Sequence, residues 1–324
     1  LAAVAASTAA SRWTPVSAAT TQLTMQLDWL FNVQFAGVFL ADDLGLYRHA
    51  GLDVAIKPWA DGVDVPQLVA EDRMALGCGE QNIVLAAQAA GAPIKAVATM
   101  FQASPSGLMT SPENGIVSLD DLRGKRVGMH IDGVRVMNLV KGVNGIADED
   151  IEIVEIPYEG KFDRVLDGEF AAVQCYVVDE PIGVEAAFDV KPTVLRFSDY
   201  GFTSYAQVIM ANDDLLATHP DAVKAFLAAT FAGWNHALAD IPTAAKLVAG
   251  QYAADGSKYR DVEYQTRSLE LIGDYVRLNV GSGGIGVIDP ATWTEASELM
   301  VNYGIIDALP APEASFATGY WPTV

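Results

Sequence analysis

The sequence predicts a two-lobed α/β protein, in which two α/β units are joined by two crossing segments. Strand and helix patterns alternate with short connections from residue 22 to residue 178, which is typical of parallel sheets with helices on both faces. The pattern breaks near Leu108 and the chain returns near Val208. With 324 residues, 51% of them apolar, the chain is long enough to bury the core of each lobe.

The first unit begins with a strand. Polar and apolar residues alternate from Gln22 to Trp29, as in a strand with one buried face. The same reasoning along the chain predicts strands at 22–29, 52–57, 74–77 and 94–100, and helices at 34–41, 65–70 and 82–90.

The second unit repeats this alternation and is followed by long helical patterns. Strands are expected at 124–129, 151–156 and 171–178, and helices at 134–141 and 161–166. The chain then leaves this unit by a further apolar strand at 205–210. Later helices begin near Pro220, Pro242 and Pro290, where a missing amide proton is tolerated. We therefore expect one lobe from residues 21–107 and 209–324, a second lobe from residues 108–208, and a separate N-terminal segment, residues 1–20.

Charge and composition exclude several classes of function. The chain has 20 Lys and Arg against 41 Asp and Glu, a formal net charge of −21, which repels nucleic acids and anionic lipids. Cys78 and Cys175 stand alone, so two buried thiols are expected rather than a disulfide. The four histidines lack metal-ligand spacing. We expect no metal, no cofactor and no nucleic-acid partner.

The N-terminus resembles the end of a secretory signal. Leu1 to Ala10 is an Ala-rich apolar run with small residues at Ala3 and Ala5. The alternative is an ordinary flexible N-terminus. No cysteine lies near this end, and no later apolar run reaches 18 residues. We expect an exported, soluble protein without a lipid anchor.

Polar and aromatic residues follow the strands of both units. In a parallel sheet these positions lie at the edge that binds ligands. Together they predict a flat slot, lined by carboxylates and amides, for a planar nitrogen heterocycle. The candidate ligand-binding residues are Asp28, Trp29, Asn32, Trp59, Glu80, Gln81 and Gln102 in the first unit, and Tyr158, Tyr176 and Glu180 in the second.

Several of these segments also carry a family resemblance. The runs 27–37, 45–54 and 101–105, together with 121–128 and Asp179-Glu180-Pro181, resemble the solute-binding proteins of ABC importers. The branch that they resemble most captures thiamine-pyrimidine precursors, with riboflavin and alkanesulfonate binders related to it. The resemblance implies a type II periplasmic-binding-protein fold, with a ligand cleft between two closing lobes. It also implies a monomeric periplasmic protein that delivers its ligand to an ABC permease, with ligand contacts at Trp29 and Glu180.

Two alternatives remain open. The same fold could bind an alkanesulfonate or another oxyanion, for which Arg135 is the candidate basic residue. A fold-sharing pyrimidine-precursor synthase is the other, but its lysine and histidine align with Gly79 and Ile83, and its iron-binding cysteines with residues 201–204. The chain departs from the importer family at Phe35 and at residues 130–132. We expect a binding protein and not an enzyme, without catalytic residues.

Overall fold

The computed structural model describes residues 20–158, 160–280 and 284–320. Nearly all of the predicted N-terminal segment, residues 1–20, lies outside them. The ten strands are β1 Thr21–Gln26, β2 Leu52–Lys57, β3 Ala75–Gly79, β4 Ile94–Phe101, β5 Ser106–Thr110, β6 Lys125–Met129, β7 Ile151–Glu155, β8 Ala172–Tyr176, β9 Thr193–Arg196 and β10 Ala206–Asn212 among the described residues. The helices there are α1 Ala36–Asp43, α2 Leu46–His49, α3 Val65–Glu71, α4 Gln81–Ala89, α5 Ile131–Val143, α6 Lys161–Leu166, α7 Glu180–Phe188, α8 Asp213–Thr218, α9 Pro220–Ala239, α10 Ile241–Leu247, α11 Val262–Arg277, α12 Pro290–Asn302 and α13 Pro312–Ser315.

The first sheet has the order β2-β1-β3-β10-β4. Strand β1 pairs in parallel with β2 and β3, as the alternation predicts. Strand β10 lies between β3 and β4 and runs antiparallel to both. The prediction of a wholly parallel sheet was therefore wrong, because β10 enters from the second unit through a direct crossing segment and not through a helical crossover.

The second sheet has the order β7-β6-β8-β5-β9. Strand β6 pairs in parallel with β7 and β8, whereas β5 is antiparallel to β8 and β9. Strands β5 and β9 and helix α7 were not predicted. The architecture is thus two mixed sheets, each covered by helices, and it confirms the predicted α/β class.

Helix α9 fixes the core beneath the first sheet. It begins at Pro220, and its predicted apolar face, including Phe226 and Trp234, is fully buried. Two glycines let it approach α1 closely. A Cβ at Gly37 would lie 2.1 Å from the Trp234 ring, and one at Gly233 would lie 2.0 Å from the Gly37 carbonyl. Larger residues at either glycine would force the helices apart.

We call the first sheet with its helices lobe 1, and the second sheet with α5, α6 and α7 lobe 2. The chain passes between sheets after Phe101 and again before Ala206; the predicted lobe boundaries remain an expectation. Helix α11 of lobe 1 contacts lobe 2 through an ion pair of Arg267 with Glu185. None of the described helices is both long and apolar enough to cross a membrane.

Candidate functional site

Four aromatic rings form a row that crosses from lobe 1 to lobe 2. The rings of Trp59 and Trp29 stack with centroids 5.6 Å apart and an interplanar angle of 18°. The Trp29 ring lies 5.8 Å from that of Tyr158, which lies 4.2 Å from the ring of His130. We call Trp59, Trp29, Tyr158 and His130 the aromatic row. It brings three of the predicted aromatic residues together, and it adds His130.

A chain of hydrogen bonds fixes the indole of Trp29. Its Nε1 donates to Tyr259 Oη at 2.9 Å, and that hydroxyl donates to Asp179 Oδ2 at 3.0 Å. Asp179 also accepts from Tyr264 Oη, at 2.5 Å to Oδ1, and from Lys258 Nζ at 3.0 Å. Asp179 lies in lobe 2, so the orientation of a lobe 1 tryptophan depends on both lobes.

Two half-buried carboxyl groups, those of Asp28 and Glu80, lie beside Tyr176, the fourth predicted aromatic residue. The Tyr176 hydroxyl, in lobe 2, donates to Glu80 Oε1 in lobe 1 at 3.1 Å. Asp28 accepts from Gln207 Nε2 at 3.1 Å and from the Cys78 thiol at 3.6 Å. Burial, followed by the nearby Asp28, raises the pKa of Glu80 to about 8, and burial raises the pKa of Asp28 to about 6.

The carboxylate of Glu180 is already bonded to other residues of the protein. It accepts from the Tyr176 backbone N–H at 2.5 Å and forms an ion pair with Lys161. Lys161 is only 5% exposed and lies 3.0 Å from His130 Nε2. Burial and the Lys161 charge lower the pKa of His130 to about 3, so its ring is neutral at pH 7. Glu180 thus positions Tyr176 and Lys161 instead of offering a free carboxylate.

Three predicted amide residues do not join the carboxyl groups. Asn32 caps the turn at residue 33, accepting from the Gln34 N–H at 2.7 Å. Gln81 is fully buried; it donates to the Trp293 carbonyl and accepts from the Tyr205 N–H. Gln102 donates to the carbonyl of Val287 at 3.2 Å. These side chains satisfy local backbone groups, so the predicted polar rim is not formed by them.

Sequence reasoning missed Gln207, Lys161 and Tyr259 as site residues. Gln207 carries a readable signal, because it is the one polar residue in the otherwise apolar stretch from 205 to 211. Lys161 and Tyr259 carry none, since their partners are far away in the sequence. The two thiols, Cys78 and Cys175, are buried and free, as expected.

The space between the lobes is narrow. A cavity of about 20 Å³ lies beside Glu80, Asp132, Gly133 and Gln174, which is room for about one water molecule. The rings of Trp29 and Trp59 are too close to hold a third ring between them, since two stacking distances of about 3.5 Å would be needed. Neither this cavity nor the Trp29–Trp59 stack therefore has room for a heterocyclic ring.

The fold and this interlobe cleft define the class: the protein has the fold of the periplasmic binding proteins. Among solved structures it is similar to the periplasmic aliphatic sulphonate binding protein SsuA of Escherichia coli, at 15% identity and a TM-score of 0.68, covering 91% of this chain and 97% of that chain. It is equally similar to the ligand-binding component of an ABC-type import system of Staphylococcus aureus, at 14% identity and a TM-score of 0.68, covering 93% and 97%.

Sequence comparison then gives the family. A family model described as NMT1/THI5 like matches residues 32–245, and the chain belongs to this family. A riboflavin-binding protein, RibY of Chloroflexus aurantiacus, is 24% identical over 93% of this chain and 86% of its own length. The 4-amino-5-hydroxymethyl-2-methylpyrimidine phosphate synthase of Schizosaccharomyces pombe is 25% identical over 65% of this chain and 64% of the relative.

Proposed function

We propose that this chain is the exported solute-binding protein of an ABC importer and captures a small planar nitrogen heterocycle between its lobes. The observation that carries the proposal is the aromatic row, which brings aromatic rings from both lobes together near the half-buried carboxyl groups of Asp28 and Glu80. The similarity to import-system components and to a riboflavin-binding protein supports it. We expect a monomer in the periplasm that delivers its ligand to a membrane permease.

In this mechanism the ligand enters when the lobes separate, and its ring stacks on Trp29 on the side from which Tyr158 approaches as the lobes close. Glu80 accepts hydrogen bonds from ring or amino N–H groups, in competition with the Tyr176 hydroxyl. Contacts from both lobes are essential, because only a ligand that binds the closed form better can shift the opening equilibrium. The permease would then distinguish the closed, loaded form from the open one.

A thermal-shift screen tests the proposal directly. The panel contains riboflavin, aminopyrimidines, thiamine, purines and alkanesulfonates. A ligand at a free concentration of 100 times its Kd stabilises the folded state by about 2.7 kcal/mol. We expect shifts with flat heterocycles that are lost in Trp29→Ala. Tyr303→Ala is the matched control, because Tyr303 is a half-exposed aromatic residue at the end of α12, outside the aromatic row. Shifts that survive Trp29→Ala would refute the stacking site.

The oxyanion alternative is favoured by the similarity to SsuA. Its candidate residue, Arg135, donates to the Ile305 carbonyl at 3.1 Å. Lys161, beside His130, and Lys258, beside Tyr259, are already paired with Glu180 and Asp179. A sulfonate would also have to approach the carboxyl groups of Asp28 and Glu80. The geometry therefore favours a ligand that donates hydrogen bonds.

The synthase alternative is favoured by the curated relatives that bear that name. The residues of this chain do not fit the cofactor and iron that the resemblance attaches to that reaction. Gly79 has no amine to offer, and Ile83 replaces the histidine. Within residues 20–158, 160–280 and 284–320, no group of three His, Cys, Asp or Glu side chains is placed to hold a metal ion. We therefore propose binding without turnover, which a search for product after incubation with each bound ligand would test.

A further inference from the structure

Three oxygen-bearing side chains form the floor of the cleft in lobe 1. Asp28 follows β1, Glu80 follows β3, and Gln207 lies in β10, which pairs with β3. The Gln207 amide faces both Asp28 and the Tyr176 hydroxyl of the opposite lobe. We call Asp28, Glu80 and Gln207 the acceptor floor. Because Tyr176 belongs to lobe 2, separation of the lobes uncovers this floor.

Gln207 combines two unfavourable features. Its φ of 52° is in the left-handed region, which is unusual for a residue within a strand. Its side chain is 1% exposed, and among the described residues Oε1 has no hydrogen-bond partner. Since Nε2 donates to Asp28, the amide orientation is set and Oε1 remains an acceptor. A buried acceptor without a donor raises the free energy of the folded state, and a ligand N–H that donates to it would remove this cost.

The acceptor floor also lacks a positive charge. The ion pairs among the described residues include neither Asp28 nor Glu80. Lys161 and Lys258 form ion pairs with Glu180 and Asp179 instead. Half-buried carboxyl groups without a cationic partner are poorly stabilised as ions, so a cation supplied by a ligand would stabilise this cluster.

We infer that the ligand presents to the acceptor floor a flat cationic group with several N–H donors, of the amidinium or guanidinium class, and that Gln207 Oε1 accepts one of those hydrogen bonds. The inference rests on the proposed function and narrows it. A quaternary ammonium has the charge but no N–H for Gln207. A carbonyl edge would face acceptors, and an oxyanion would face two carboxyl groups.

Four small probes of similar size separate these properties. Benzamidine carries a flat cation with N–H donors, benzamide is its neutral counterpart, phenyltrimethylammonium is a cation without N–H, and benzenesulfonate is an anion. Isothermal titration calorimetry at pH 8 should show benzamidine binding at least about tenfold more tightly than each of the others, as expected for charge-assisted hydrogen bonds. Equal binding of benzamide, or preferred binding of benzenesulfonate, would overturn the inference.

Variants then locate the effect. Glu80→Gln keeps the shape and an acceptor for Tyr176, and it should weaken benzamidine about tenfold or more while changing benzamide little. Gln207→Leu should weaken benzamidine but leave phenyltrimethylammonium unchanged. Glu152→Gln removes the same charge from an exposed ion pair with Arg126 and should change neither. Thermal melts show whether each variant folds. If Gln207→Leu does not fold, Asp28→Asn is used as a second variant of the acceptor floor that removes a charge.

The outcomes separate this inference from the proposed function. If flat heterocycles bind and depend on Trp29 but benzamidine has no advantage, the acceptor floor is misassigned and the proposed function stands. If neither panel contains a ligand that depends on Trp29, both are wrong. Unchanged benzamidine affinity in Glu80→Gln, with benzamidine still preferred by the wild-type protein, would place the cation elsewhere and overturn the inference alone.

Discussion

Replacing Tyr259 with phenylalanine should weaken binding of a flat ligand more than it weakens the fold. The lost hydroxyl accepts from Trp29 Nε1 at 2.9 Å and donates to Asp179 at 3.0 Å. Asp179 keeps Lys258 and Tyr264, and the half-buried indole can turn toward water, so we expect a loss of about 1 kcal/mol of stability. Freeing the ring adds an ordering cost of about 0.5–1.5 kcal/mol on binding, which weakens Kd about 2- to 12-fold.

Tyr264→Phe is the matched control, since the Tyr264 hydroxyl also donates to Asp179, whereas the Trp29 Nε1–H donates to Tyr259. The one hydroxyl proton of Tyr264 is shared between Asp179 Oδ1 at 2.5 Å and the Asp179 carbonyl at 2.9 Å. Loss of this hydrogen bond to a charged group should destabilise the fold by about 1.5–3 kcal/mol. Calorimetry with the tightest flat ligand measures Kd, and urea unfolding measures stability. The two variants should rank in opposite order in the two assays. Equal affinity losses, or wild-type affinity in Tyr259→Phe, would refute the positioning role.

Three further predictions concern packing, pH and the rival ligand. Gly133→Ala gains helix propensity, but its Cβ would lie 1.9 Å from the buried Gln174 Oε1, so we expect a net loss of about 1–3 kcal/mol in thermal unfolding; a rise in Tm would contradict this. Because the pKa of Glu80 rises from 4.5 to about 8 on folding, the folded state binds an extra proton in that window and stability falls as pH rises; Glu80→Gln should flatten Tm measured between pH 5 and 8, and an unchanged slope would exclude Glu80 as its source. Arg135→Ala removes a hydrogen bond to a backbone carbonyl and should leave ligand affinity within about twofold by calorimetry; loss of binding would favour the oxyanion alternative.

The fold was predictable where local pattern and topology agree. The alternation of Gln22 to Trp29 predicts β1, and the prolines at 220, 242 and 290 mark the starts of α9, α10 and α12, as the structure confirms. Strand direction was not predictable. The pattern of β10 predicts a strand but contains nothing that distinguishes parallel from antiparallel pairing, which depends on the end from which the returning chain enters.

The positions of the aromatic rings in the candidate site could be predicted from the sequence, but the bonding partners of the amide side chains could not. Trp29, Trp59 and Tyr158 lie at strand ends, and the topology brings them to one edge. Amides at the same edge compete for unsatisfied backbone groups, which are most numerous at helix and strand ends. Asn32 accordingly accepts from the Gln34 N–H, and Gln81 binds the backbone of Tyr205. The position of an amide therefore does not reveal whether it serves a ligand or a cap.

The acidic turn at the start of α7 connects both sides of the cleft. Asp179 binds Tyr259, which orients Trp29, and the adjacent Glu180 binds the Tyr176 N–H and Lys161. A displacement of this turn would therefore move Tyr176 together with the hydrogen-bond chain that orients Trp29. The acceptor floor does not depend on this turn in the same way. Glu80 and Gln207 belong to lobe 1, and none of the bonds just named joins them to Asp179 or Glu180. Substitutions at Asp179 or Glu180 should thus weaken all ligands alike, whereas substitutions at Glu80 or Gln207 should change which ligand is preferred.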